Sequence, residues 1–427
     1  MSAEKMYIRQ LNKMTKSFTG FVLLLPFFSI YASPINNVSI GECIMFLLAI
    51  FMIIDRRLRN QNFTIEKNPF WGYLAYALVS TLACSFILGM VFSRFELSSM
   101  GIRVARDAFY FSIVMIFGNW YFDFEYAKYF LKKVSFLLGL FILFQFVAYE
   151  LAHVYIPNII PMLKTTVSGG LMGYEIMEKY AITAGRDGFV RAAGFFSEPA
   201  VVAQYMSVSL LIVLFPQFGK PNVKTAIFYS IIMLLTFSVN AYIALLVCWL
   251  LWGLYNNKGN KQNFIKIFLL ALFFMIGIVF VAKNDATSSV LNRLVELKNG
   301  GRTSGSSVER VLRGIAFYTH MPFIYQLTGS GFGNFIQFKE AYDITTVYET
   351  IDEYMNTNAY ILVSSGIIGF LLYVGTLFKR TMGRITVSKM MIIIVLVFGL
   401  SSSIYSSGQF IIMLLFIMYA PRKGESL

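Results

Sequence analysis

Residues 306–320 place Arg310, Arg313, Phe317 and His320 on one side of a helical repeat. Two guanidinium groups and an imidazole on one face could bind an anion, because each Arg offers a fixed fork of donors to paired oxygens. The same spacing also suits a plain solvated or lipid-headgroup-facing side. Ser306 and Ser307 are good helix caps, Glu309 puts an acid in the first turn where the helix dipole favours one, and Pro322 ends the segment. Val308, Val311, Leu312, Ile315, Ala316 and Thr319 predict the packed face. Upstream, Arg191 and Glu198 stand in Arg-Ala-Ala-Gly-Phe-Phe-Ser-Glu-Pro over 191–199. Glu198-Pro199 reads either as a reactive carboxylate or as an ordinary helix start, with an acid at the dipole and Pro in the first turn.

Other chemistries are poorly served. The chain has two His in all, no His-Glu-x-x-His zinc motif and no phosphate-binding Gly-rich loop with Lys. Gly329-Ser330-Gly331-Phe332-Gly333 has a superficial likeness to such a loop, but it follows a helix and falls in a segment read as outer, where ATP is not available. Cys43, Cys84 and Cys248 are scattered singly through apolar stretches, so neither a disulfide framework nor a metal cluster is expected, and no cofactor is implied.

The elements that must carry these residues are membrane helices. Of 427 residues 57% are hydrophobic and 14% charged, and Phe and Tyr supply 68 positions, outside the balance of a soluble domain. Apolar stretches near the roughly 20 residues that cross a bilayer recur from 18 to 420, without the alternation of barrel strands. The expected fold is therefore all-α, a single polytopic transmembrane helical bundle over 1–427 with about twelve spans. The spans are placed at 18–33, 38–54, 69–92, 107–122, 134–155, 199–215, 225–237, 241–255, 267–282, 356–378, 390–402 and 409–420, with a break at Ser238-Val239-Asn240 separating the seventh and eighth. The basic N-terminal stretch lacks a small-residue cleavage site and is read as leading into a retained helix.

Charge sets the orientation. With both termini inside, the inner segments hold 22 of the 36 Lys and Arg in 79 residues, which is the positive-inside pattern. The net charge of +14 is thus dispersed among short loops, and nucleic acid is not an expected partner. Two outer loops, 156–198 and 283–355, are long enough to be functional. The spans themselves carry almost no ionisable groups: Glu150 and His153 lie near the outer end of the fifth, and Gln204, Asn240 and Gln409 are merely polar. An ion-coupled transporter is disfavoured, and the polar chemistry is expected at the outer water–lipid boundary.

An ordered set of motifs resembles the O-antigen polymerase and O-antigen ligase family. The set comprises Met321-Pro322, Thr328-Gly329-Ser330-Gly331-Phe332-Gly333-Asn334-Phe335, Asn356-Thr357-Asn358-Ala359-Tyr360 and Gly366-Ile367-Ile368-Gly369-Phe370, all after the Arg-bearing helix. Residues 191–199 are similar to the family's Arg-x-x-Gly-x-Phe-x-Glu-Pro at the start of a middle helix. Thr236–Asn240 lies where members carry a Ser-Arg-Thr-Gly turn. Motifs cover about 185–420, and the first half agrees in topology alone. Thr357 stands where members have His before Asn, and Val239 or Asn240 where they have Arg. The His is the base expected of the ligase branch, so its replacement favours the polymerase branch.

The resemblance implies a glycosyltransferase of the bacterial inner membrane with two periplasmic loops. It would transfer a growing glycan from undecaprenyl diphosphate to a new lipid-linked repeat unit, without a metal. It implies Arg191, Arg310 and Arg313 as diphosphate ligands, with Arg103 and Arg106 as second choices. Glu198 is the first choice of base, followed by Glu309, His320 and Glu353. Its partners would be the undecaprenyl-diphosphate-linked oligosaccharide, membrane lipid, and flippase and chain-length regulator proteins. The alternatives are a ligase acting on lipid A core, a lipid-linked oligosaccharide flippase, and a receptor or structural membrane protein.

Overall fold

The computed structural model describes residues 7, 10–35, 38–166, 171–187, 190–217, 219–256, 307–346 and 355–423, and side chains over the same stretches except 183–187 and 307–311. The described residues are helical, with isolated bridges and no strands. Helices α1 (Lys13–Phe28), α2 (Ile40–Leu58), α3 (Phe70–Met90), α4 (Leu97–Ser112) and α5 (Phe124–Ala152) are followed by α6 (Gly173–Asp187), α7 (Pro199–Leu214), α8 (Val223–Leu234) and α9 (Val239–Asn256). The later described stretches carry α10 (Ser307–His320), α11 (Phe323–Thr328), α12 (Phe335–Ala341), α13 (Thr357–Thr381), α14 (Thr386–Ser401) and α15 (Gly408–Tyr419). The ninth expected span, 267–282, lies outside the described residues.

Local chemistry accounts for the helix boundaries. Ser39 and Glu42 form a reciprocal capping box at α2, with Oγ accepting from Glu42 N at 3.1 Å and Oε2 from Ser39 N at 2.7 Å. Asp123 caps α5, accepting from Tyr126 N at 2.7 Å. Pro199 starts α7 in the position where its missing N–H costs nothing. The break expected at 238–240 is present: α8 ends at Leu234, Phe237 takes a left-handed φ of 46°, and α9 begins at Val239. Two boundaries differ from expectation. Residues 124–133, expected to be inner loop, are the opening turns of α5, and 97–106, expected to be outside a span, open α4.

Four helices, α3, α5, α9 and α13, are long and apolar enough to cross a membrane, and α7, α8, α14 and α15 are shorter apolar helices. Large apolar side chains stand exposed along them: Val79, Leu82 and Phe86 on α3, Leu137 and Phe144 on α5. Such stripes are stable against hydrocarbon and would be an aggregation liability in water. The chain is membrane-embedded and, over the described residues, helical.

The chain divides into two compact units, each assembled from two sequence segments. Unit 1 comprises Met1–Phe63 and Trp120–Leu294 and is centred on α7, whose residues Val202–Leu214 are all buried. A helix covered all round explains why no amphipathic period shows in its sequence. Ser135 and Ser209 hydroxyls meet across α5 and α7 at 2.5 Å, and Tyr205 donates to the Leu23 carbonyl of α1 at 3.0 Å. Unit 2 comprises Thr64–Asn119 and Val295–Leu427 and has its own fully covered helix, α15. Tyr73, Tyr373 and Phe70 pack between α3 and α13, with ring centroids 5.4 Å apart for the two tyrosines and 5.2 Å for Phe70 and Tyr73.

Candidate functional site

In unit 1 the segment 191–199 folds into a tight approach to α7. Gly194 has φ +61°, and a Cβ there would lie 2.5 Å from a Leu138 methyl, so only glycine fits. Its N–H donates to Gln145 Oε1 at 2.9 Å, and its carbonyl accepts from Gln145 Nε2 at 3.2 Å. Phe196 is fully buried, stacked on Phe27 at 4.5 Å and tilted against Tyr205 at 5.5 Å, while Asn158 Nδ2 donates to its carbonyl at 2.8 Å. Ala192 and Ala193 are buried too.

Each of these residues has a packing duty. Glu198 occupies the cap position of α7 with extended backbone, yet its carboxylate makes no capping bond and its side chain is exposed. The ordinary helix-start reading therefore accounts for Pro199 but leaves the Glu198 carboxylate unassigned. Arg191 is half-buried and acts electrostatically on Tyr180 and Tyr242. Tyr180, on α6, donates to the Ser197 carbonyl at 2.8 Å and feels both charges: burial raises its phenol pKa, Glu198 raises it further, and Arg191 opposes. Tyr180 therefore lies within electrostatic reach of both Arg191 and Glu198. Tyr180 and Tyr242 carry no motif and were not legible in the sequence.

In unit 2 Arg103 and Arg106 share α4, both half-buried. Arg103 Nε lies 3.5 Å from Asp107 Oδ2, and its guanidinium covers the rings of Tyr360 at 4.7 Å and Tyr405 at 5.6 Å. Asp107 is buried and also accepts from the Ser406 hydroxyl. Tyr405 reaches the Tyr73 hydroxyl at 3.3 Å, and Phe332 stacks on Tyr405 at 5.5 Å. Arg103 and Asp107 were not singled out as a pair in the sequence. Asp107 sits at the first position of an expected span, and the i, i+4 spacing from Arg103 was the one available signal of the pair. Thr357, where the resembled family has His, accepts from the backbone N–H of Ile404 and Tyr405 at 2.7 and 3.1 Å and donates to the Ser402 carbonyl at 3.1 Å. It shapes the 402–407 connection.

The helix at 307–320 is present, but the face assignment is corrected. Phe317 is fully buried, 4.5 Å from Phe335, and Gly314 packs against Ala359 and Met355, whereas Ile315 and Thr319 are exposed. Aromatic partners on α12 outweigh the local apolar count. Arg313 is half-buried, and His320 is exposed with Nδ1 2.7 Å from the Ala316 carbonyl of its own helix. Glu309 and Arg310 lie in the first turns of α10, and their side chains, like Glu353 as a whole, fall outside the described residues, as do Ser306 and the side chains of Val308 and Val311.

The glycine-rich segment is not a cradle for phosphate. Gly329, Gly331 and Gly333 all have positive φ, and a Cβ on Gly329 would lie 2.2 Å from the Ser364 carbonyl oxygen of α13. The N–H groups of Ser330 and Gly331 donate to the Val363 and Ser364 carbonyls, each at 2.9 Å, and Phe332 N donates to Thr81 Oγ1 at 3.0 Å. Donors already bonded to the protein are unavailable to an anion. Among the described residues no three His, Cys, Asp or Glu side chains come together as a metal site. Compared with known families and curated proteins, the chain matches no family model and no curated sequence.

Proposed function

We propose that this chain is a polysaccharide repeat-unit polymerase of a bacterial inner membrane, with about twelve spans, both termini inside, and its chemistry at the outer face. The observation that carries the reading is the division of labour within 191–199. Gly194, Phe196 and the two alanines are accounted for by packing, while Glu198, at the cap position of α7, keeps an exposed carboxylate with no capping bond, and Tyr180 feels both that charge and the charge of Arg191. That is the minimum equipment for transfer from a diphosphate carrier. The acceptor sugar hydroxyl attacks the anomeric carbon of the growing glycan, a C–O bond forms, and the bond to undecaprenyl diphosphate breaks with its electron pair on the diphosphate. Glu198 takes the hydroxyl proton, and Arg191 pairs with the developing phosphate charge through its fork of donors. Arg310 and Arg313 of α10, in unit 2, are the alternative diphosphate ligands that the resemblance implies. No nucleotide is needed, since the donor is already activated.

The test is chain length in cells and with purified protein. Arg191→Ala is expected to abolish long chains, leaving lipid-linked or core-capped single repeats, while the protein inserts at its normal level. One charge-assisted contact made mainly in the transition state is worth on the order of 3 kcal/mol, or about a hundredfold in rate. Arg191→Lys should restore little, because a point charge cannot offer two parallel donors. Wild-type chain length in Arg191→Ala, Arg310→Ala and Arg313→Ala alike would overturn the reading, and loss of all surface glycan would point to a flippase or a ligase instead.

A further inference from the structure

We propose that Pro322–Ala341 is a re-entrant element lying within the bilayer rather than in an aqueous loop, with Phe323, Ile324 and Ile336 facing hydrocarbon. Its contacts with α3 form an ordered ladder. The Leu327 carbonyl meets the Tyr76 hydroxyl at 3.5 Å, and the Thr328 carbonyl accepts from Ser80 Oγ. Phe332 N then donates to Thr81, Asn334 Nδ2 to Ser85 Oγ at 2.9 Å, and Glu340 pairs with Arg94, beyond the end of α3, at 2.6 Å. The segment therefore turns beside the middle of α3 and climbs along it to its end. Ser80 is ten residues from Met90, about 15 Å at the helical rise, or half of a hydrocarbon core of about 30 Å.

Two further observations agree on the depth. The turn locks into α13 where that helix is broken, at Gly366 with φ +66°, nine residues inside a helix long enough to span. At the same level α3 exposes Val79, 64% accessible, and Leu82, which no aqueous neighbour would favour. Irregular backbone is tolerated at membrane depth only where its polar groups are satisfied. Here four successive N–H groups, from Gly329 to Phe332, are bonded in turn to the carbonyls of Tyr325, Val363 and Ser364 and to the Thr81 hydroxyl. The outer side of the element is apolar: Phe323 is 74% exposed, Ile324 58% and Ile336 45%. This surface is apolar like the exposed stripe of α3 against which the segment packs, so acyl chains are its occupant. About twenty residues of the stretch 283–355 thus leave the water.

The inference holds whether or not the chain polymerises glycan, and its test needs no activity. In the full chain carrying Cys43→Ser and reconstituted in phosphatidylcholine vesicles, spin labels go singly on Phe323→Cys, Ile324→Cys and Ile336→Cys. Val79→Cys is the mid-bilayer reference and Thr345→Cys the aqueous one; the remaining thiols, Cys84 and Cys248, are buried. Power saturation compares collisions with oxygen, which concentrates in hydrocarbon, and with a water-soluble nickel chelate. The expected result is an oxygen-to-nickel ratio at all three positions nearer that of Val79→Cys. Ratios nearer that of Thr345→Cys would overturn the proposal and return the segment to the aqueous loop.

Discussion

Arg103 and Asp107 show what a charged residue costs and contributes inside a helical bundle. Both lose hydration, and the loss is offset by the ion pair, the Ser406 hydroxyl and two tyrosine faces. Removing one partner leaves the other charge buried, so Arg103→Ala is expected to destabilise unit 2 by about 3 kcal/mol. The measurement is thermal unfolding in detergent, and Arg103→Met combined with Asp107→Leu should recover much of the loss. This separates Arg103 from Arg191, whose removal is expected to end chain growth while the protein still inserts. Glu66 supplies a pH signature. Arg380 hydrogen-bonds its carboxylate at 2.9 and 2.6 Å and holds its pKa below the ordinary carboxylate value. A lowered folded-state pKa gives stability that is present above the unfolded pKa of about 4.3 and lost as pH falls through the folded value. Because the Glu66 side chain is 45% exposed, screening keeps the gain below about 1 kcal/mol. Glu66→Gln should remove that part of the acid sensitivity of the unfolding midpoint and leave the neutral-pH midpoint within a few degrees.

At the scale of elements, the glycines sort into two kinds. Gly366 and Gly329 meet each other's chain so closely that a Cβ on either would lie 2.2 Å from a carbonyl oxygen, and both have positive φ. Gly366→Ala is expected to cost at least about 2 kcal/mol and to unseat the turn from α13. Gly375, on the same helix, has nothing within 4 Å of a Cβ, so Gly375→Ala should be neutral or stabilising by up to about 1 kcal/mol. Comparable unfolding midpoints for the two variants would show that the close α11–α13 approach contributes nothing to stability. Gly329 and Gly366 both belong to motifs that look functional in the sequence, yet they serve close packing of backbone on backbone.

For the molecule as a whole, two units are each built from two sequence segments around a helix covered on every side, α7 in one and α15 in the other. The positive-inside asymmetry predicts that reporter fusions at Thr166 report outside and fusions at Gly383 report inside. Fusions at Gly300 and Lys258, which lie outside the described residues, are expected outside and inside respectively. An inside signal at Gly300 would overturn the twelve-span topology and the outer placement of Arg191 and Glu198 with it.

Composition and the lengths of apolar runs were enough, without a structure, to establish helices and a lipid solvent. Those properties are sums over local residues. The motif at 191–199 also brought out Arg191 and Glu198, because charged residues are conspicuous in an apolar chain. Which face each helix buries was decided only in the tertiary structure. In a membrane both the lipid-facing and the protein-facing sides are apolar, so periodicity no longer separates them, and α10 turned Phe317 inward against the local count. The partners that settle the matter are distant: Phe332 meets Thr81, 251 positions away, and Asp107 meets Ser406, 299 positions away. Contacts over such separations leave no local pattern, which is why the Asp107–Ser406 contact and the depth of the glycine-rich turn emerged from the packing alone.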